Sequence, residues 1–333
     1  MRLREFRFAA LLTMRVPYAL NRLLQAIPIT LGILIFSFIL IKLAPGDPIT
    51  MFVGDGGASP EYVAELTRRL GLDRPIHEQL TLYLWRLLQG DLGTSIHQGS
   101  SVLSVIMARA QPTIVLMACG ITSGVIAGVL LGVYASARPY SRRDNVIIVA
   151  SLVLYSLPGF WLGQMLILVF SVKLGMLPAA GMSSFVVGAG AQWLDYATHL
   201  VLPTITLGAG LAAFVMRFVR TSMIEALGQD YILTARSKGL SDLVIFYKHA
   251  LRNALLPVVT YVGLRVGHIL SGAVVIESVF GWPGLGRLLI DSLFARDYPL
   301  IMGMFIVVSF SVVLVNLAVD ILYSYIDPRI RAQ

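Results

Sequence analysis

The chain has 333 residues, 57% of them hydrophobic and only 13% charged, with a net charge of +8 and a mean hydropathy of +0.79. An average soluble domain carries about 25% charged and about 45–50% apolar residues, so this composition excludes a soluble enzyme, a disordered chain and a coiled coil. Converting length into about two soluble domains therefore fails, and the composition points to a membrane protein.

In chain order, six stretches reach the roughly 20 mostly apolar residues that a bilayer-spanning helix needs. They are 23–43, 113–137, 145–170, 200–218, 255–278 and 300–323. The fourth is the least regular, because Pro203 and nearby glycines weaken it; membrane helices tolerate such residues when neighbours repair the backbone bonding. The first follows Arg2, Arg4, Arg7, Arg15 and Arg22, as a signal peptide would. Its apolar stretch exceeds the usual length of about 7–15 residues, and Ala44-Pro45-Gly46-Asp47-Pro48 makes a poor cleavage site, so it reads as a retained span.

Charge then assigns the sides. Residues 1–22, 138–144, 217–254 and the C-terminal tail hold sixteen Lys and Arg against six acids, a net +10. Residues 42–111, 171–199 and 277–299 hold nine against eleven, a net −2. The positive-inside rule places the first set, and both termini with it, in the cytoplasm. An even number of spans agrees, and the excess charge needs no nucleic-acid partner. The expected layout is a cytosolic segment 1–22, a first span 23–43, an extracytoplasmic helical region 44–111, a five-span core 112–323 and a cytosolic tail 324–333. The single cysteine, Cys119, can form neither an internal disulfide nor a Cys-cluster zinc site, and His97, His199 and His249 lack metal-ligand spacing, so no metal site is expected.

Two connections are too long to be mere connectors. In the outer one, Ser59-Pro60-Glu61 predicts a helix start, with Ser59 as N-cap, Pro60 in the first turn and Glu61 near the positive helix end. Tyr62, Leu66 and Leu70 follow at spacing four, and Gly71 ends the helix. A second helix is predicted over Ile76 to Leu88, ended by Gly90-Asp91-Leu92-Gly93-Thr94-Ser95. This region reads equally well as a solvated cap or as a docking surface.

The inner connection, 217–254, is the more informative. A helix ending at Lys238 places Arg236 and Lys238 at its negative end. Gly239 suits a left-handed cap, with Leu240 as the apolar residue after it. Ser241 then caps a short second helix with Asp242 in its first turn. Leu243, Tyr247, Ala250 and Leu251 fall on one face, with Lys248, His249 and Arg252 on or near the other. Amphipathic helices of this kind suit a segment that lies along the membrane edge and docks in a partner's groove; a membrane-surface pair without a partner is the plainer reading.

Asp230-Tyr231-Ile232-Leu233-Thr234-Ala235-Arg236-Ser237-Lys238-Gly239-Leu240 resembles the cytoplasmic coupling loop of ABC importer permeases. His249-Ala250-Leu251-Arg252-Asn253-Ala254-Leu255-Leu256-Pro257 is similar to the dipeptide/oligopeptide/nickel branch of that family. So are Ala44-Pro45-Gly46-Asp47-Pro48, Gly90-Asp91-Leu92-Gly93, Phe280-Gly281-Trp282-Pro283-Gly284-Leu285-Gly286-Arg287, Arg296-Asp297-Tyr298-Pro299 and Asp327-Pro328-Arg329-Ile330-Arg331, in order along nearly the whole chain. Leu233-Thr234-Ala235 stands where the general coupling motif has Glu-Ala-Ala, a departure typical of the peptide branch, so Glu225 is not automatically the motif's acid.

The resemblance implies an all-α integral membrane protein with six transmembrane helices in the type I ABC importer permease fold. It implies a non-catalytic subunit for di- or oligopeptides, working with a paralogous second permease, two ATPase subunits that bind ATP and Mg, and an extracytoplasmic substrate-binding protein. The sequence agrees on catalysis: a phosphate-binding P-loop needs Gly-Lys-Ser/Thr, and none of Lys42, Lys173, Lys238 and Lys248 follows a glycine. Asp230, Tyr231, Thr234, Ala235, Arg236, Lys238, Gly239, Leu240 and His249 would then meet an ATPase groove, through the 223–254 stretch. Asp47 and Asp91 would face the binding protein. Alternative cargoes are a nickel chelate, glutathione or an opine; a self-contained channel or secondary carrier is the reading from another class.

Polar groups at membrane depth face the protein interior or a water-filled path. Arg265 and His268, on one helix face, either line a translocation path or make an inter-helix bond, with Arg265 also able to snorkel to the edge. Ser271 shares that face but lacks the surroundings of a hydrolase nucleophile. Glu277 either pairs structurally or meets the substrate's amino terminus. Trp282 belongs to a re-entrant turn over the path or anchors at the interface.

Overall fold

Apolar stretches in lipid must satisfy their backbone groups internally, which leaves the helix as the solution open to this chain. The computed structural model describes residues 15–43, 59–71, 73–184 and 191–326. There the chain forms helices and their connecting loops, with one bridge pair, Thr94 with Ser101. The helices are α1 (Arg15–Leu43), α2 (Pro60–Leu70), α3 (Ile76–Leu88), α4 (Val102–Ser136), α5 (Arg142–Ser156), α6 (Gly159–Leu166), α7 (Gln192–Leu227), α8 (Asp230–Ser237), α9 (Asp242–Val244), α10 (Leu251–Val279), α11 (Leu285–Phe294) and α12 (Tyr298–Ile326). Two wide stretches with i→i+5 bonding, Ile167–Lys173 and Ile245–Ala250, extend α6 and join α9 to α10.

The predicted apolar stretches fall in helices. Among the described residues, Val102–Ser136, Gln192–Leu227 and Tyr298–Val319 are each long and apolar enough to cross a membrane. The third stretch departs from the expectation of an unbroken segment. It bends by 104° between α5 and the α6 segment. The cause is Pro158, which pushes its predecessor out of helical conformation; Leu157 sits at φ −73°, ψ 131°. Pro203 leaves α7 unbroken over 36 residues.

The chain divides into two compact units, Met1–Ala110 with Leu288–Gln333, and Gln111–Arg287. In the first, α1 packs along α12 and touches α3, with the Phe38 and Tyr83 rings 5.5 Å apart. Asp297 organises this unit's loop. Its buried carboxylate accepts the Ser95 hydroxyl at 2.5 Å and the amide N–H groups of Ile96, His97 and Leu300 at 3.3, 3.1 and 3.2 Å. It thereby starts α12 and closes the 94–101 loop at once.

In the second unit α7 is the central post, touching α5, α6 and α10. Over half of its most apolar window, 56%, is buried within the chain, against 22% for α4 and α12. Gly120, Gly124, Gly128 and Gly132 bring α4 onto α7 backbone to backbone: a Cβ on Gly124 would lie 2.7 Å from the Gly208 carbonyl oxygen. Small residues at spacing four are the usual route to close packing in lipid, where apolar burial gives no drive.

Candidate functional site

Two helix ends in the second unit carry most of the residues singled out by sequence, and both use one backbone device. A helix leaves four carbonyls without partners at its C-terminus. A left-handed glycine lets the next two amides turn back onto them.

At the end of α8, Gly239 has φ +72°. Its N–H donates to the Arg236 carbonyl at 2.9 Å, and the Leu240 N–H to that of Ala235 at 3.3 Å, the expected cap. Ile232 and Ala235 turn inward onto Val219, Met223 and Ala226. Asp230, Tyr231, Thr234, Arg236, Lys238, Gly239 and Leu240 are exposed, and His249 is half-buried.

The second helix differs from the sequence expectation. Ser241 stands at its N-cap but donates and accepts no capping side-chain bond. The helix does not stop; it continues through the wide turn into α10. The expected apolar face splits as well: Ala250 is buried, while Leu243 and Tyr247 are 71% and 55% exposed and Ile245 takes the inward place. The wide turn is the cause. It adds a residue to the turn, the Leu251 N–H bonding the Phe246 carbonyl, so the inward positions run Ile245, Ala250, Ala254, Val258. Leu233, Leu240, Leu243, Val244 and Tyr247 form an exposed apolar surface, with Arg236, Lys238 and Lys248 exposed beside it.

The end of α10 repeats the cap. Gly281 has φ +58°; its N–H donates to the Ser278 carbonyl at 3.3 Å and the Trp282 N–H to that of Glu277 at 2.8 Å. Here everything is sealed. Trp282 and Glu277 have no accessible surface. The Trp282 indole N–H donates to the Pro112 carbonyl at 3.0 Å. The Glu277 carboxylate accepts the Thr113 hydroxyl at 2.6 Å and the Gly286 and Arg287 N–H groups at 2.7 and 3.2 Å. The Thr113 oxygen accepts the Leu285 N–H at 2.8 Å. The first amides of α11, which no helix can satisfy internally, thus have partners, with a carboxylate at the positive helix end. Of the two roles the sequence left open for Glu277 and Trp282, the geometry shows the structural one: both are buried and fasten the 280–287 segment to α4.

Arg265, His268 and Ser271 lie on α10, with side chains outside the described residues; Asp47 is also outside them. Asp91 is exposed, and its carboxylate accepts the Gly93 N–H at 2.9 Å, shaping the turn after α3. Among the described residues no group of three or more His, Cys, Asp or Glu is placed to hold a metal.

Sequence reasoning missed Thr113, Asp297 and the pair Asp144–Arg220. Asp144 is buried and takes two bonds from the Arg220 guanidinium at 2.6 and 2.7 Å, plus the Tyr140 N–H at 2.7 Å. Those Arg220 bonds hold its carboxyl below the usual aspartate range. Asp144 as the one acid among the basic residues of 138–144 was the available signal.

The sequence pattern of the family described as binding-protein-dependent transport system inner membrane component matches residues 124–332, and that of its N-terminal region matches 15–118. The chain belongs to this family. This permease is an inner-membrane component. It is 40% identical to the dipeptide transport system permease protein DppB of Escherichia coli K12, over 94% of this chain and 98% of that protein. It is 41% identical to the oligopeptide transport system permease protein AppB of Bacillus subtilis, over 94% and 99%. It is 40% identical to the glutathione transport system permease protein GsiC of Salmonella choleraesuis, over 94% and 98%. The fold is shared with the MetNI methionine ABC transporter in inward-facing conformations, at TM-score 0.53 and 18% identity over 68% of this chain and 97% of that one. It is shared too with an amino acid ABC transporter at TM-score 0.50 and 17% identity, over 68% and 94%.

Proposed function

We propose that this permease forms half of the translocation path of an ATP-driven importer of di- and oligopeptides. The observation that carries the reading is the near-full-length identity of 40% to a dipeptide permease. The equal identity to a glutathione permease favours one second reading, a tripeptide thiol as cargo.

The chain would cross the bilayer six times with both ends in the cytoplasm, as its loop charges suggest. The exposed apolar surface around Leu243 and Tyr247 would seat in an ATPase subunit, with Arg236 and Lys238 at its rim. ATP and Mg would be held by that partner. A paralogous permease would supply the other half of the path, and an extracytoplasmic binding protein would deliver peptide on the side of Asp47 and Asp91. Arg265, His268 and Ser271 would face the path from α10.

Uptake of a labelled dipeptide and of labelled glutathione, in a strain lacking the chain and in the same strain complemented, tests this. Restored dipeptide uptake supports peptide import, restored glutathione uptake alone selects the second reading, and restoration of neither rejects both.

A further inference from the structure

The stretch 242–250 carries two alternative apolar faces. In the structure, the wide turn Ile245–Ala250 puts Ile245 and Ala250 in the core at spacing five, with 1% and 0% of their surface accessible. A regular α-helix continued upward from Ala250 and Ala254 at 3.6 residues per turn puts different residues inward: Leu243 and Tyr247. Those two are apolar, yet here they are exposed. Either register therefore buries apolar side chains. A segment whose two packings both satisfy the core is a two-state element, and single wide turns inside helices recur at functional sites.

We propose that 242–250 is a register switch, wide in one nucleotide state of the attached ATPase and regular in another. This rests on the reading that Leu243 and Tyr247 meet that partner. In the wide register both project outward and Ile245 is inside. Closing the turn to a regular helix removes one residue from it, rotating 242–245 by about 100° relative to α10. Leu243 and Tyr247 then withdraw into the core and Ile245 emerges. A partner that grips Leu243 and Tyr247 selects the wide register because it has affinity for that register alone. Such a switch would turn groove closure into rotation of α9 against α10 without breaking the helix.

The test uses the assembled transporter with Cys119 replaced by Ser. Single variants I245C, A250C, L243C and Y247C are labelled with a maleimide, nucleotide-free and ATP-trapped. The proposal expects I245C to label at least about tenfold faster in one state than in the other, as a minor register becomes the major one, while A250C stays protected in both. An I245C site protected equally in both states overturns it. The docking reading is scored separately: if L243C and Y247C label at the same rate with and without ATPase subunits, that reading fails. Should I245C not assemble, hydrogen exchange of the unsubstituted 242–252 segment decides. Exchange that differs between the two states supports the switch; identical exchange overturns it.

Discussion

The ends of α8 and α10 share one backbone solution and opposite fates. Both finish on a left-handed glycine, Gly239 or Gly281, with paired amides turned back onto the last helical carbonyls. After Gly281 the chain meets an indole, a carboxylate and a threonine that partner its polar groups in the interior. After Gly239 it meets open space: nothing lies within 4 Å of where a Cβ would stand. A helix cap is therefore neutral about role. What distinguishes a fastening from an open surface is whether the residues beyond the cap find partners within the same chain.

Breaking the sealed end should have the largest effect. Glu277→Ala leaves the Thr113 hydroxyl and two α11 amides without an acceptor, each worth about 1–3 kcal/mol when buried. Folded yield and melting temperature of the purified complex should fall sharply, and Glu277→Gln, keeping one carbonyl oxygen, should fall less. Next comes the buried pair outside the spans. Asp144→Ala strands Arg220, and breaking such a pair costs about 3–5 kcal/mol at full burial, less here because Arg220 is partly exposed. The pair's contribution is present in full above the ordinary aspartate value of about 3.9, because the folded carboxyl titrates lower. It is lost as pH falls through that lower folded value, so acid melting curves of wild type and Asp144→Asn should converge.

The exposed end should respond in function first. Gly239→Val forces a β-branched residue into left-handed backbone, about 1–2 kcal/mol of local strain. Transport should drop while membrane insertion persists; Gly239→Asn, which tolerates that backbone, should retain more transport. Smallest for stability is Leu243→Ala, a surface truncation within about 0.5 kcal/mol. Its melting temperature should match wild type while co-purification of the ATPase weakens; equal loss of both would erase the distinction between the two ends.

Local chemistry was legible. Ser59 accepts the Tyr62 N–H as an N-cap, Gly71 and Gly239 close their helices, and α3 has the expected limits. The apolar stretches were legible through hydropathy: three of them fall in helices long and apolar enough to cross a membrane and a fourth in the bent pair around Pro158. Partnerships across long separations were not: Thr113 and Glu277 are 164 residues apart, Ser95 and Asp297 are 202. Nothing in the spacing of two such residues announces a hydrogen bond. The bend at Leu157-Pro158 had its signal in the proline, whereas the wide turn at Ile245–Ala250 had none, because the residues around it also fit a regular helix. Exposure of Leu243 and Tyr247 followed from that turn and was hidden with it.

The glycines of α4 have a mechanical consequence. With carbonyls of α7 standing where methyl groups would otherwise cushion the contact, any side chain larger than a hydrogen at these positions would force the two helices apart. Helix α7 runs from Gln192, past Tyr196, whose ring lies 5.6 Å from that of Trp282, to Leu227 before the Gly228 turn that leads into α8. Its 36 residues span about 54 Å, so a tilt of about 5° at one end displaces the other by about 5 Å. If α7 tilts as a rigid rod, a small tilt at its α8 end becomes a movement the width of a side chain at its Trp282 end.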